Sequence, residues 1–169
     1  MVAALCTVIL PEALAYNQTI ALWNYNVTLE GLDQNVTFQP MTVSSSVNSI
    51  VRSVRFQGDS NQDWGAVYLF ERRNPSGVIL EDLLRQIMIS SCKAVSADPG
   101  TIGDLNGMVA TAYARVEHGF GQLCYGGAAF ISGKTTGVTT TFAVVGHFQN
   151  ETLNEHLVKT ARIEHKADL

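Results

Sequence analysis

The sequence predicts an α+β fold, with a central antiparallel sheet of about six strands and two main helices packed on it. Three observations carry this expectation. Stretches rich in β-branched and aromatic residues alternate in hydropathy as half-buried strands do. Two other stretches place apolar residues at helical spacing. The order is strands, helix, strands, helix, without the regular β-α-β alternation of a parallel sheet. Residues 16–169 hold all of this and are read as one domain, since no repeat or linker divides them.

The first fifteen residues stand apart. Val2 to Leu10 is a mostly apolar run, and Ala13-Leu14-Ala15 follows Pro11. This pattern matches the apolar region and small-x-small cleavage site of a secretory signal peptide, although no Lys or Arg lies between Met1 and Leu10. The run is too short to span a bilayer, which takes about 20 apolar residues. Cleavage after Ala15 would remove Glu12 and Cys6 and leave no transmembrane span in the mature chain. The expected location is therefore extracytoplasmic, either secreted or at the cell surface.

From Ile20 to Val43 the chain reads as strands. Asn26-Val27-Thr28-Leu29 and Asn35-Val36-Thr37-Phe38 are expected to pair through a hairpin loop at Glu30-Gly31-Leu32-Asp33. Ser44-Ser45-Ser46 reads as a loop. In Val51 to Phe56, Arg52, Val54 and Phe56 alternate with Val51, Ser53 and Arg55, a strand pattern. Gly58 to Asn61 is a turn, and Trp64 to Phe70 is the next strand. Asn74-Pro75-Ser76-Gly77 breaks the chain before a helix. Ile79, Leu83, Leu84, Ile87 and Met88 form its apolar stripe, through about Val95. Glu81 and Asp82 near its start and Lys93 near its end suit the helix dipole.

Thr101 to Phe148 contains only four charged side chains: Asp104, Arg115, Glu117 and Lys134. Three or four antiparallel strands are expected there, in Met108 to Val116, Gln122 to Ile131 and Val138 to Phe148, with Ser132 to Gly137 joining the last two. Asn150 is placed to cap a final helix. Leu153, Leu157 and Ala161, with Val158 beside them, give that helix a stripe through about Glu164.

The sequence offers few chemical motifs. The net charge of −4 argues against a general nucleic-acid binder, which needs a basic face. Gly133-Lys134-Thr135 lacks the earlier glycine of a phosphate-binding loop, because Ala128 stands there, and a strand rather than a helix should follow. Gly119-Phe120-Gly121 breaks the dinucleotide pattern at Cys124. Asp98, Asp104 and Asn106 form only part of a calcium loop. His118, His147, His156 and His165 make no zinc-binding pair, and no serine sits in a nucleophile elbow. His156 and His165 are expected on the last helix, in solvent. No catalytic, cofactor-binding or metal site is expected.

Cys92 and Cys124 would remain after cleavage and are the candidates for one disulfide, with two buried thiols as the alternative. Four Asn-x-Thr sequons, at Asn17, Asn26, Asn35 and Asn150, exceed what ten Asn and 25 Ser or Thr would give by chance, and make these the candidate glycosylation sites. The first three are spaced nine apart, which puts them on separate strand or turn positions.

Leu80-Glu81-Asp82-Leu83-Leu84, Ile102-Gly103-Asp104-Leu105-Asn106-Gly107, Tyr125-Gly126-Gly127-Ala128-Ala129-Phe130 and the passage from Ala143 to Leu153 resemble the PsbP-like fold family and its small exported relatives in methanogenic archaea. The resemblance covers roughly residues 65–165. It implies a central antiparallel sheet with helices on its faces and a non-enzymatic binding or assembly role. It transfers no functional residue.

The expected function is that of an exported or cell-surface, non-catalytic domain binding a protein partner or a small ligand. A pocket is expected between sheet and helices; Trp23, Trp64 and Tyr25 are the candidate anchors, although core packing is the more common use of any one such aromatic. The alternatives are a hydrolase-type enzyme using His118 or His147, and a structural subunit of a cell-envelope layer.

Overall fold

The computed structural model describes residues 16–73, 79–92, 98–99, 111–117, 123–131 and 137–166, with the backbone alone over 98–99 and 111–117. Among the described residues the fold is mixed α and β, with two helices and mainly antiparallel sheet. The chain runs β1 (Tyr16–Leu22), β2 (Tyr25–Leu32), β3 (Thr37–Phe38), β4 (Thr42–Ser45), β5 (Ser49–Gln57), β6 (Trp64–Arg73), α1 (Leu80–Cys92), β7 (Asp98–Pro99), β8 (Thr111–Glu117), β9 (Leu123–Ile131), β10 (Val138–His147), α2 (Glu151–Thr160) and β11 (Arg162–His165). The last described element is a strand, where the sequence pattern predicts a helix.

The strands divide between two sheets. Among the described residues, the larger sheet has eight strands, in the order β3-β5-β6-β10-β9-β8-β7, with β4 also on β5. The smaller is β1-β2-β11. Alternation along β5, β6, β9 and β10 sorts the side chains of the larger sheet onto two faces. One face presents Val54, Phe56, Val67, Leu69, Phe142 and Val144 to the small sheet and α2. The other presents Cys124, Ala128, Ala143 and Val145 to α1. β10 is therefore covered on both sides, and Thr140 through His147 are all buried.

Four expectations need correction. The hairpin of residues 26–38 does not form. β2 pairs with β1 through a two-residue connection at Trp23-Asn24, and Thr37-Phe38 pairs with β5. Gly31 is a bulge rather than a turn: its φ is +86°, and the register slips opposite it, from Tyr16↔Leu32 to Asn17↔Glu30. Ser44 and Ser45 belong to a strand, because their backbone pairs with Val51 and Ile50. α2 ends at Thr160, not near Glu164. Ala161 takes an extended ψ of 130°, and pairing with β2 then puts Ile163 beside Val27 and leaves Arg162 and Glu164 exposed. His165 consequently lies on β11.

The start of α2 is fixed locally. Asn150 Oδ1 accepts the Leu153 N–H at 3.2 Å. The buried Asn154 side chain accepts from Phe148 N–H and donates to Phe148 O, each at 2.7 Å, which locks the turn from β10 into α2. Among the described residues no helix is long and apolar enough to cross a membrane.

Candidate functional site

α1 lies over β8, β9 and β10. Leu83, Leu84, Ile87 and Met88 face the sheet, as their spacing requires. The helix comes close because Gly126 lies beneath it: a Cβ there would stand 2.3 Å from Met88 Sδ. A disulfide joins Cys92, at the end of α1, to Cys124 on β9, with Cα atoms 6.4 Å apart and both residues buried. The Tyr68 hydroxyl hydrogen-bonds the Ser91 hydroxyl at 2.8 Å and ties β6 to the same helix.

Among the described residues, this placement leaves the same face of β5 and β6 uncovered beside the helix. A groove of about 740 Å³ opens there. Val51, Tyr68 and Phe70 make its floor, and Leu83 and Ile87 make the helix wall. Ser49, Gln86 and Ser90 line its edges, with Arg72 at one end and Arg55 at the other. Ala66 pairs with Arg55 and precedes Arg72 by six residues on β6. At about 3.3 Å per residue, the two arginine positions are about 20 Å apart. Among the described lining residues there is no carboxylate. The groove is thus a long apolar trough with a cationic group at each end.

Arg55 is partly engaged. Its guanidinium lies 5.0 Å from the Trp64 ring centroid, and Trp64 stacks on His147 at 5.3 Å. His147 is 4 % exposed, and its Nδ1 sits 2.9 Å from the Gln62 carbonyl oxygen. Its ring packs between strand and loop, away from the groove. His118 lies outside the described residues, as do Gly133-Lys134-Thr135, Asp104 and Asn106. Among the described residues, no three His, Cys, Asp or Glu side chains gather as a metal site would need.

A second cleft, of about 730 Å³, opens where the small sheet meets the far end of the large one. Trp23, 44 % exposed, forms its rim with φ at +56°, a conformation that favours glycine. Lys166 holds this connection: its N–H donates to Asn24 O at 2.7 Å and its Nζ to Trp23 O at 2.6 Å. The indole covers the buried Arg52, whose guanidinium is 3.8 Å from the ring centroid. Arg52 also forms an ion pair with Glu71. Tyr25 packs edge-on against His165 at 5.1 Å. Burial, and then the Glu71 carboxylate, push the Tyr25 phenol above its ordinary pKa, and a hydrogen bond from Thr140 opposes them.

A pH dependence follows from Tyr25. The folded state holds its proton more tightly than the unfolded state, so the associated stability is full below the ordinary tyrosine pKa and is lost as pH rises through the higher folded value. Thermal melts between about pH 9 and 11 should therefore fall more steeply for the natural chain than for Tyr25→Phe. Parallel curves would refute the assignment.

Asn17 lies exposed on β1 and Asn35 exposed after β2, while Asn26 is half-buried on β2 and the Asn150 side chain serves as the α2 cap. Of the three candidate anchors, Trp23 alone is exposed; Tyr25 is buried, and Trp64 is half-buried in the cluster beneath α1. The sequence reading missed Arg72, which looks like any solvated strand end until α1 leaves its face bare. No family model, curated protein or solved structure matches the chain.

Proposed function

We propose that the protein is a non-catalytic binding domain, exported or displayed at the cell surface, whose groove between α1 and β5–β6 takes a small amphipathic anion. The observation that carries this is the charge pattern: two arginines, no carboxylate among the described lining residues, and an apolar floor between them. Burying an apolar body there is favourable by about 25 cal/mol per Å². A guanidinium at either end selects a carboxylate or similar headgroup. The groove volume falls within the range of small-molecule sites, about 300–1,000 Å³. The signal-like start, the four sequons and the disulfide support a location outside the reducing cytoplasm.

Calorimetric titration with dodecanoate, below its aggregation concentration, tests the reading. Saturable binding is expected, with dodecanol much weaker. Arg72→Gln should weaken dodecanoate about tenfold, since a charge-assisted hydrogen bond contributes about 1.5–3 kcal/mol and each 1.4 kcal/mol is tenfold. Absence of saturable binding, or equal affinity after Arg55→Gln and Arg72→Gln together, would sink it.

A further inference from the structure

β4 is the outermost strand on its side of the large sheet among the described residues, because β5 has β4 on one side and β6 on the other. Its outward hydrogen-bonding groups can be identified. Ser46 N–H donates to Ser49 O at 2.8 Å, which makes that a hydrogen-bonded pair. Antiparallel ladders alternate, so Ser44↔Val51 and Thr42↔Ser53 are hydrogen-bonded pairs as well. Val43 and Ser45 therefore turn their N–H and C=O groups away from β5, toward the open edge.

Natural sheets protect such edges with charged side chains, lysine above all. This one has none: no charged residue occurs from Gln34 through Val51. Exposed apolar side chains are concentrated there instead, with Met41 40 %, Val43 58 % and Val47 92 % exposed, and Phe38 exposed nearby.

We propose that β4 pairs with β4 of a second copy, antiparallel about a two-fold axis through Ser44. The sequence Met41-Thr42-Val43-Ser44-Ser45-Ser46-Val47 is self-complementary in that register. Val43 of each copy faces Ser45 of the other, and these are the residues whose backbone groups point outward, so the register satisfies both sets. Ser44 faces Ser44, two small uncharged side chains at the axis. Met41 and Val47 lie exposed just beyond the two ends of β4, so an apolar side chain of each copy flanks each end of the seam. Pro40 lacks an N–H and limits the ladder on its side. The pairing is isologous, so it closes at two copies instead of growing into a fibre. It joins the two large sheets into one and lies apart from the groove under α1.

Sedimentation velocity on the full chain, across a concentration series, tests this. The natural chain should show a reversible monomer–dimer equilibrium. Val43→Pro removes an outward donor but no β4–β5 hydrogen bond, and proline suits such an edge position. Ser44→Lys sets two like charges against each other at the axis. Each should weaken dimerisation at least about tenfold, with the melting temperature of the monomer little changed. If Val43→Pro fails to fold, the exposed Ser44→Lys still decides the matter. A natural chain that stays monomeric throughout, or a dimer that Ser44→Lys leaves equally tight, would overturn the proposal. Capture of a foreign peptide strand by a monomeric chain would do so too.

Discussion

Replacing Cys92 and Cys124 with serine should lower the unfolding free energy by about 3–4 kcal/mol. The bridge closes a loop with a sequence separation of 32, and loss of that closure from the unfolded ensemble accounts for this figure in the chain-entropy model. The loss is also local. Both sulfurs are buried, and the bond fixes the C-terminal end of α1 to the sheet. Alanine at both positions, which leaves no hydroxyl to bury, should cost a little less than serine. Because α1 is one wall of the groove, dodecanoate affinity should fall with the bridge, while the Tyr25 titration on the other face should not move. Urea titration with and without reductant reads the first effect directly. An unchanged midpoint on reduction would show that the bridge contributes nothing.

Much of the fold could be read from local pattern. Leu83, Leu84, Ile87 and Met88 are buried as their spacing requires, and Ile79, grouped with them on sequence, lies exposed one residue before α1 begins. The alternation of Arg52, Val54 and Phe56 correctly gives a strand with one buried face. The scarcity of charge after Thr101 also has a physical cause: β9 and β10 lie inside the sheet, with α1 on one side and the small sheet and α2 on the other.

What could not be read depends on partners distant in sequence. Arg162 to His165 continues a helical pattern, and only the open edge of β2, more than a hundred residues earlier, turns it into a strand. Ser44 and Ser45 have loop composition, and β5 makes them part of a strand. The groove is of the same kind. It exists because α1 covers β8 to β10 and stops short of β5, which no local signal near Arg55 or Arg72 records. Arg52 falls on the Val54 and Phe56 face of the strand pattern, but nothing local records what lets a cation be buried there: a carboxylate 19 positions away and an indole from the β1–β2 connection.

That buried pair carries the second large effect. Glu71→Ala should destabilise by about 3 kcal/mol, because it leaves the guanidinium of Arg52, a residue only 8 % exposed, without its counter-ion. Trp23 offsets only part of this, since a cation–π contact contributes about 0.5–2 kcal/mol and is present already. Arg52→Leu with Glu71→Leu should cost far less than the two single changes added together. Neither charge is then stranded, and apolar pairs of similar volume often replace buried ion pairs at little loss. A double-mutant cycle should give a coupling of about 2 kcal/mol or more. Glu71→Gln supplies an independent reading at Tyr25. The carboxylate is one of the two causes that raise that phenol, so the phenol should titrate at lower pH when the charge is removed, with burial still holding it above the ordinary value. Additive single changes together with an unmoved Tyr25 would mean that Arg52 and Glu71 are solvated in practice, and that Trp23 accepts its left-handed backbone for some reason other than covering a buried cation.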